Sequence, residues 1–410
     1  MKIAYFVDKF PLVSETFVLT QVAGMIRRGH DVTIFANAIV KPDVMHPIIE
    51  QYQLMSKVVV RPVVRRQWSR RALQALSAFV AAVGAGRTLP ALATLNAFRR
   101  GRTALGMHLL VRASAHFHDY RFDVLHCQFG ELGIEVAALK NCGVLDGRLI
   151  TSFRGADATI EAHRQLTVYT ELFRTGDCFL AVSGSIREKL LELGCPADKI
   201  RILRSGVDLS AFDYRGPRGP HMPVRLVSIG RLAPTKGIEY ALDAIRRLLD
   251  EGVALEYRIA GDGPRRQELE DKAARLGLES VVAFEGAVDR DRVVRILRDS
   301  DILIAPSVIA ESGQTEGVPN VLKEAMACGV PAIGTRVGGV AELIEHGTNG
   351  FLVPQKDADA IADCIRTILD QQDSLPEILS RARESIERDY DLRRLNSDLE
   401  NVYQRAGGLC

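Results

Sequence analysis

Residues 213–223, DYRGPRGPHMP, interrupt a regular alternation of apolar strand patterns and amphipathic helix patterns. Three prolines and two glycines among these residues are typical of a linker between domains. The alternation begins at residues 2–7 and restarts after the linker at residues 224–229. Short strands that alternate with helices indicate a parallel sheet with helices on both faces. The sequence therefore predicts an α/β fold of two doubly wound, Rossmann-like domains that face each other across a cleft.

The linker divides the chain into halves of similar size. We expect an N-terminal domain over residues 1–212 and a C-terminal domain over residues 224–385. The last stretch, 386–410, has a polar amphipathic helix pattern, and we expect it to pack back toward the N-terminal domain. Because open α/β sheets bind ligands beyond the carboxyl ends of their strands, the cleft is the expected site.

The composition is that of an ordinary globular protein. The 410 residues are 47% hydrophobic and 25% charged, and the net charge of +2 gives no general attraction to nucleic acid. No stretch of about 18 uncharged apolar residues occurs, and MKIAYFVDKF at the start suits a first strand better than a signal peptide. Seven scattered cysteines without a CxxC pair indicate reduced thiols. A cytoplasmic location is therefore expected.

The basic residues are unevenly distributed along the chain. Residues 51–118 contain eleven Lys and Arg residues and no Asp or Glu, together with the only tryptophan, Trp68. Helices are predicted here over roughly 66–83, 88–99 and 103–118. One interpretation is a helical face with solvated arginines; the other is a surface that binds anionic lipid on the inner face of the cell membrane. Aromatic residues are too sparse for stacking on single-stranded nucleic acid.

Several common sites are absent from the sequence. The loop after the first strand, DKFPLVSE, is not a G-x-G-x-x-G fingerprint, which argues against a dinucleotide-dependent dehydrogenase. A P-loop, an H-E-x-x-H motif and a clustered His/Cys ligand set are also missing from the sequence. We therefore expect neither a bound metal nor a cofactor.

One predicted strand-to-helix loop of the C-terminal domain carries two basic residues. Gly230 and Arg231 close the strand, and Lys236 and Gly237 open the next helix. Two cations and free backbone amides at a helix N-terminus form a place where a diphosphate binds without a metal. The alternative is an ordinary turn with two solvated charges.

The strongest signal is the stretch EGVPNVLKE, residues 316–324. Pro319 suits the first position of a helix, so Glu316 is expected on the preceding loop, facing the cleft. Glu324 then lies five residues into the helix, about 7.5 Å along its axis. This arrangement would allow one carboxylate to meet a sugar and the other a ribose, with helix amides on the phosphates between them. The alternative is a pair of surface glutamates without a ligand.

Together these motifs resemble those of a known family. The second half resembles the retaining glycosyltransferases of family four, which have the GT-B fold, through SIGRLAPTKG (228–237), EGVPNVLKE, EAMACGVPAIGT (324–335) and VGGVAELIEHGTNGFLV (337–353). The first half resembles the branch of colanic-acid and exopolysaccharide transferases through FPLVSETFV (10–18), HCQFGELG (126–133) and TSFRGAD (151–157). The resemblance covers nearly the whole chain.

The resemblance implies a role for each residue on the donor side. Arg231 and Lys236 match the pair that neutralises the donor diphosphate. Glu316 matches the catalytic carboxylate beside the donor sugar, and Glu324 matches the carboxylate that binds the nucleotide ribose. The other donor-binding residues that it implies are Gly230, Gly317, Asn320 and Val321.

The first half is expected to hold the acceptor. The resemblance implies that the loop of Ser14, Glu15 and Thr16 shapes the acceptor side of the cleft, where Asp157 is also expected. Many members of the family have histidine at the position of Arg154. A guanidinium stays protonated near neutral pH and cannot act as a general base. Arg154 is therefore expected either to stabilise phosphate or acceptor charge, or to have no catalytic role.

The activity implied by the resemblance is a sugar transfer. The donor is a nucleotide-diphosphate sugar, the acceptor is a saccharide such as one on a polyprenyl diphosphate, and the anomeric configuration is retained. Two alternatives stay open: a non-catalytic nucleotide-sugar-binding subunit, and a soluble GT-B transferase or phosphorylase with a small acceptor. The altered Arg154 keeps the first alternative open, and the basic segment argues against the second.

Overall fold

The computed structural model describes residues 1–12, 15–41, 46–96, 107–155, 157–158, 167–216 and 218–405. Within these residues the N-terminal domain has a parallel sheet of seven strands: β1 (Lys2–Phe10), β2 (Asp31–Ile39), β3 (Val58–Val60), β4 (Arg121–Cys127), β5 (Asp146–Phe153), β6 (Cys178–Ala181) and β7 (Ile200–Ile202). Their order is β3-β2-β1-β4-β5-β6-β7. The described helices of this domain are α1 (Thr16–Arg27), α2 (Pro47–Gln51), α3 (Trp68–Gly84), α4 (Thr88–Thr94), α5 (His108–Ala113), α6 (Gly130–Asn141), α7 (Thr170–Thr175) and α8 (Gly184–Glu192).

The C-terminal domain repeats this architecture with a parallel sheet of six strands. They are β8 (Val224–Ile229), β9 (Leu255–Ala260), β10 (Val282–Gly286), β11 (Ile302–Ala305), β12 (Ala332–Thr335) and β13 (Phe351–Val353), in the order β10-β9-β8-β11-β12-β13. The helices are α9 (Ile238–Asp250), α10 (Arg266–Arg275), α11 (Arg290–Asp299), α12 (Asn320–Cys328), α13 (Val340–Leu343), α14 (Ala358–Asp370), α15 (Leu375–Asp389) and α16 (Leu392–Gln404).

The central strands are apolar on both faces. In β1, every residue from Ile3 to Val7 is fully buried, and in β11 the four residues from Ile302 to Ala305 are buried. Continuous apolar runs of this kind are typical of parallel strands, because helices cover both faces of the sheet. The prediction of two doubly wound α/β domains is confirmed.

The carboxyl ends of the two sheets face each other across a cleft. After β5, a Cβ atom on Gly155 would lie 3.2 Å from the carbonyl oxygen of Thr315 in the other domain. At the start of α8, the backbone amides of Gly184 and Ser185 donate to the Glu342 carboxylate at 2.7 and 2.9 Å. The loops at the ends of the strands therefore form the walls of the cleft.

The chain crosses between the domains earlier than the linker at 213–223 suggested. Val207 and Phe212 are buried in the core of the C-terminal domain, so the N-terminal domain ends before them and not at residue 212. The return crossing lies beside the first, since the amide of Val207 donates to the Tyr390 carbonyl at 2.8 Å. Proline and glycine mark a surface loop, whereas the crossing itself contains no proline and is anchored by the buried side chain of Val207.

The two last helices pack on different domains. Ile386 at the end of α15 and Tyr390 are buried in the C-terminal core, whereas Leu399 and Tyr403 of α16 are buried in the N-terminal core. The helix that returns to the N-terminal domain thus begins at Leu392 and not at residue 386. The hydroxyl of Tyr403 lies 2.6 Å from Nδ1 of His126, which ties this helix to the end of β4.

The basic segment contains α3, α4 and α5. The first matches the predicted helix over 66–83, whereas α4 and α5 are shorter than the helices predicted over 88–99 and 103–118. Residues 97–106 lie outside the described residues. Among the helices that are described, none is both long and apolar enough to cross a membrane.

The prediction of reduced thiols holds for five cysteines and is wrong for one. Cys127, Cys142, Cys195, Cys328 and Cys364 are free and buried. Burial raises the pKa of the Cys195 and Cys328 thiols to about 12, so they stay protonated and unreactive near neutral pH. Cys178, in contrast, forms a disulfide.

Candidate active site

The loop between β8 and α9 holds Lys236 between two glycines. Gly230 has a φ of 150° and Gly237 a φ of 61°. A Cβ atom on Gly237 would lie 2.0 Å from the carbonyl oxygen of Pro306. Only glycine fits there, because both the backbone conformation and the available space exclude a side chain. The loop therefore approaches the end of β11 closely and presents Lys236 to the cleft.

Lys236 forms an ion pair with Glu316, which lies on the loop before α12. The Lys236 Nζ atom is 2.8 Å from Oε1 of Glu316, and the Ser307 hydroxyl donates to Oε2 at 3.1 Å. Both charged side chains are partly exposed, at 19% and 25%. The structure thus brings together two residues predicted from separate motifs, and each remains accessible to a ligand.

Arg231 lies on the same loop as Lys236. Its side chain is exposed, and within the described part of the chain its guanidinium has no hydrogen-bond or ion-pair partner. A free guanidinium next to a paired lysine gives this loop an uncompensated positive charge, which suits an anionic ligand.

The helix α12 begins at Asn320, one residue later than predicted. Pro319 precedes the helix with an extended ψ of 128° and is its N-cap. Gly317 is in contact with the other domain, because a Cβ atom there would lie 3.1 Å from the Arg154 carbonyl oxygen. Val321 lines the same small cavity as Gly230 and Lys236. The positive end of α12 and the basic loop therefore face one location.

Glu324 faces a second cavity, which lies between the domains. The cavity is also lined by Asn320 and, from the N-terminal domain, by Thr16, Phe17 and His46. Burial raises the pKa of the Glu324 carboxyl group, and Lys323 opposes that effect. Glu324 thus lines the cavity on one side of the start of α12, and Lys236, the ion-pair partner of Glu316, lines the small cavity on the other side.

Arg154 lies at the end of β5 within a polar network of the N-terminal domain. Its guanidinium donates to Oε1 of Gln128 at 2.7 Å and to the Ser205 hydroxyl at 3.2 Å, and it stacks 3.8 Å above the Phe17 ring. Burial lowers the pKa of Arg154 to about 10, so the side chain remains a cation near neutral pH. The network fixes this positive charge in place beside the cleft.

Asp157 has a buried position that does not match an acceptor-side contact. Its carboxylate accepts hydrogen bonds from the backbone amides of Arg154, Gly155 and Ala158 at 2.9, 3.0 and 3.1 Å. A fourth bond, at 3.2 Å, comes from the amide of Gly130 at the start of α6. With these bonds Asp157 holds the loop that carries Arg154, so its role is positioning.

The loop before α1 contributes Glu15 and Thr16, while Ser14 lies outside the described residues. Thr16 lines the cavity of Glu324. Glu15 is partly exposed; burial raises the pKa of its carboxyl group to about 7, an effect that Arg154 opposes and Asp8 reinforces. Glu15 therefore changes its charge near neutral pH, next to the cation of Arg154.

Several residues of the site were not predicted individually. Phe17 and Gln128, which contact Arg154, lie inside the motifs FPLVSETFV and HCQFGELG, so a signal for them was present. Ser205 lies 51 residues along the chain from its partner Arg154, and the sequence carries no signal for that contact. Ser307 lies nine residues before Glu316, on the segment that leads into the same loop. Across the described residues, no cluster of three or more His, Cys, Asp or Glu side chains suits a metal ion.

Arg231→Ala and Lys236→Ala are each expected to weaken the binding of nucleoside diphosphates. Loss of one charge-assisted hydrogen bond costs about 1.5–3 kcal/mol, or about 10-fold to 100-fold in Kd. Isothermal titration calorimetry with a panel of nucleoside diphosphates measures the effect, with Arg275→Ala, an exposed arginine on α10, as the matched control. Wild-type affinity in both variants would contradict a phosphate site on this loop.

Two family profiles match the two halves of the chain. A profile described as glycosyl transferases group 1 matches residues 223–371, and one described as Glycosyltransferase Family 4 matches residues 14–211. Several relatives match almost the whole chain. WcaL of Salmonella typhimurium, named for glycosyl transfer in colanic acid biosynthesis, is 34% identical over 98% of this chain and 100% of its own length. The amylovoran biosynthesis glycosyltransferase AmsK of Erwinia amylovora is 32% identical over 99% of this chain and 100% of its own length.

Solved structures of similar fold include HepE of Anabaena in complex with UDP. It is 19% identical, with a TM-score of 0.71, over 98% of this chain and 99% of that chain. Sucrose-phosphate synthase from Thermosynechococcus elongatus is 18% identical, with a TM-score of 0.70, over 99% of this chain and 98% of that chain. These likenesses show that the two domains and their cleft form the GT-B fold. By its full-length relatives and both profile matches, the chain belongs to the family of glycosyltransferases of exopolysaccharide biosynthesis.

Proposed function

We propose that the protein transfers a sugar, with retention of the anomeric configuration, from a nucleotide-diphosphate sugar to a saccharide on a polyprenyl diphosphate. The observation that carries this proposal is the pair of Lys236 and Glu316 beside the start of α12. It combines a cation for a leaving diphosphate with a carboxylate for a sugar that becomes positively charged. The retention of configuration rests on the family resemblance.

The donor lies across the two neighbouring cavities. Arg231, Lys236 and the first amides of α12 bind the diphosphate, and Glu324 binds the ribose in the cavity that it shares with Thr16. Fixed donors aimed at a leaving group stabilise the charge that develops on it in the transition state. The acceptor hydroxyl attacks from the face of the leaving diphosphate and transfers its proton to a phosphate oxygen. The structure of HepE with UDP-glucose favours a uridine nucleotide as the first donor to test.

The acceptor occupies a groove of the N-terminal domain. This groove has a volume of about 1400 Å³ and extends from Asp8 at the end of β1 to Val63 and Arg66 before α3. Glu131 and Glu135 of α6 also line it. Carboxylates suit the hydroxyl groups of a saccharide, and apolar side chains suit the faces of sugar rings or the first units of a lipid chain.

The experiment is a nucleotide-release assay with a panel of nucleotide sugars and a polyprenyl-diphosphate-linked saccharide, followed by NMR assignment of the product anomer. Full turnover is expected in EDTA, because fixed cations take the place of a metal ion at the phosphates. Loss of turnover in EDTA that Mg²⁺ or Mn²⁺ restores would contradict the metal-free mechanism. An inverted product would contradict retention, and binding of nucleotide without release from any donor would favour a non-catalytic subunit.

A further inference from the structure

The outer face of α3 carries large apolar side chains in contact with solvent. Leu73 and Leu76 are 68% and 61% exposed, and Val80 and Val83 are 62% and 52% exposed. Their spacing of three or four residues places them on one side of the helix. On the following helix, Leu89 is 80% exposed. We call the following set the apolar row: Leu73, Leu76, Val80, Val83, Leu89 and Leu92.

The buried residues of α3, on its opposite face, are all small, and Phe79 beside them is partly buried against the same core. Ala75, Ala78 and Ala82 are buried against the N-terminal core. A surface helix normally places its large apolar residues inward and polar residues outward. Here the helix buries alanines and exposes leucines and valines. A contiguous exposed apolar surface of this kind marks contact with a partner or a membrane.

Exposed arginines lie at the N-terminal end of α3. Arg65 and Arg66 precede the helix, and Arg70 lies in its first turn, which has no acidic residue. Cations at this end of a helix are unfavourable to its dipole, so helix stability does not explain them. Trp68, which is 68% exposed, lies among them. An apolar surface bordered by arginines and a tryptophan suits the head-group region of an anionic bilayer.

The eleven basic residues of segment 51–118 are not equivalent. Arg61 is fully buried and pairs with Glu135, and Arg112 lies 3.3 Å from the same carboxylate. Arg87 donates to backbone carbonyls and lies 3.6 Å above the Tyr120 ring. Arg99, Arg100 and Arg102 lie outside the described residues. Among the described residues, the charge available to lipid is therefore smaller than the sequence suggested, and the apolar row is the larger feature.

We propose that the apolar row inserts into the head-group region of an anionic bilayer, with α3 in the membrane plane and Arg65, Arg66 and Arg70 on lipid phosphates. The helix has 17 residues and lies along the surface. Because segment 51–118 has basic but no acidic residues, the lipid that it attracts is anionic. The groove proposed for the acceptor is lined by Val63 and Arg66, which lie next to this surface in the chain. Only the connection between this surface and the acceptor groove rests on the proposed function.

The single tryptophan makes insertion directly measurable. Trp68 emission is expected to shift to shorter wavelength with vesicles that contain phosphatidylglycerol, and brominated lipids are expected to quench it. We expect the triple variant Leu73→Ser, Leu76→Ser, Val80→Ser to lose about 100-fold or more in partition coefficient in a flotation assay. The matched control, Ile202→Ser with Met222→Ser, removes exposed apolar side chains elsewhere and should bind as wild type.

A second set of variants separates insertion from charge attraction. Arg65→Gln, Arg66→Gln and Arg70→Gln together should reduce binding by about 10-fold or more at low salt and have little effect at high salt. The triple serine variant should bind poorly at both salt concentrations. An unshifted Trp68 emission, or flotation of the serine variant like wild type, would overturn the proposal. So would a wild-type dimer that the serine variant converts to a monomer, because the apolar row would then be a protein interface.

Thermal unfolding, nucleoside diphosphate affinity and sugar transfer are measured on the same variants, separately from lipid binding. Each variant is expected to keep the thermal unfolding midpoint and the nucleoside diphosphate affinity of the wild type, because the side chains of the apolar row are exposed and Lys236 belongs to the other domain. Vesicle binding without any sugar transfer would overturn the proposed function and leave the membrane surface intact. Sugar transfer to a soluble acceptor without vesicle binding would overturn the membrane surface and leave the proposed sugar transfer intact.

Discussion

The Glu316→Gln variant is expected to lose about 100-fold or more in turnover number while it binds nucleoside diphosphate as tightly as the wild type or more tightly. Glutamine keeps the shape and the hydrogen bond from Ser307 but removes the negative charge. The loss of a preorganised electrostatic contact in the transition state costs about 100-fold to 1000-fold in rate. Without that charge, Lys236 is released from its ion pair and becomes fully available to the diphosphate.

Single-turnover kinetics and calorimetry on the same preparations test this expectation. The matched control is Glu311→Gln, an exposed glutamate on the same loop, which should turn over like the wild type. Lys236→Met should give the opposite pattern, with both affinity and turnover reduced. Glu316→Gln with full activity, or with a loss of nucleotide affinity equal to that of Lys236→Met, would show that Glu316 serves only to hold the lysine.

The parts of the site that lie close together in sequence could be predicted without a structure. Lys236 follows a strand, and Glu316 and Glu324 flank a helix start, and each position follows from local rules for strand ends and helix starts. Parallel strands bring their carboxyl ends to one edge, so both motifs had to meet in the cleft. The ion pair between Lys236 and Glu316 could not be predicted, because it depends on the exact depth of two loops separated by 80 residues.

The incorrect domain boundary has a related cause. The segment that crosses between the domains is held by the bridge of Val207 with Asp391 and by burial of Phe212, and these contacts form between distant parts of the chain. The buried position of Asp157 could not be predicted for the same reason. A polar residue in a motif suggests ligand contact, whereas its four bonds to backbone amides are visible only when β5 and α6 are placed side by side.

Arg154→Met is expected to lower the turnover number by about 100-fold and the free energy of unfolding by about 1–3 kcal/mol. The side chain of Gln128 and the hydroxyl of Ser205 lose a charged donor, and the cleft loses a fixed positive charge. Arg154→Lys keeps the positive charge and should lose much less activity than the methionine variant.

The pH dependence gives a sharper test of Arg154 than the loss of activity does. Burial raises the pKa of Glu15 to about 7, and the cation of Arg154 holds it below the value that burial alone would impose. Without that cation the pKa of Glu15 rises further, so the carboxylate forms only at higher pH. We expect the ionised Glu15 carboxylate to be the form that serves the acceptor, which would give kcat/KM an acid limb near pH 7 in the wild type. This limb should move to higher pH in Arg154→Met and stay in place in Arg154→Lys. Unchanged acid limbs in both variants, with Glu15→Gln as active as the wild type, would show that Arg154 acts on the fold of its loop and not on the charge of the acceptor side.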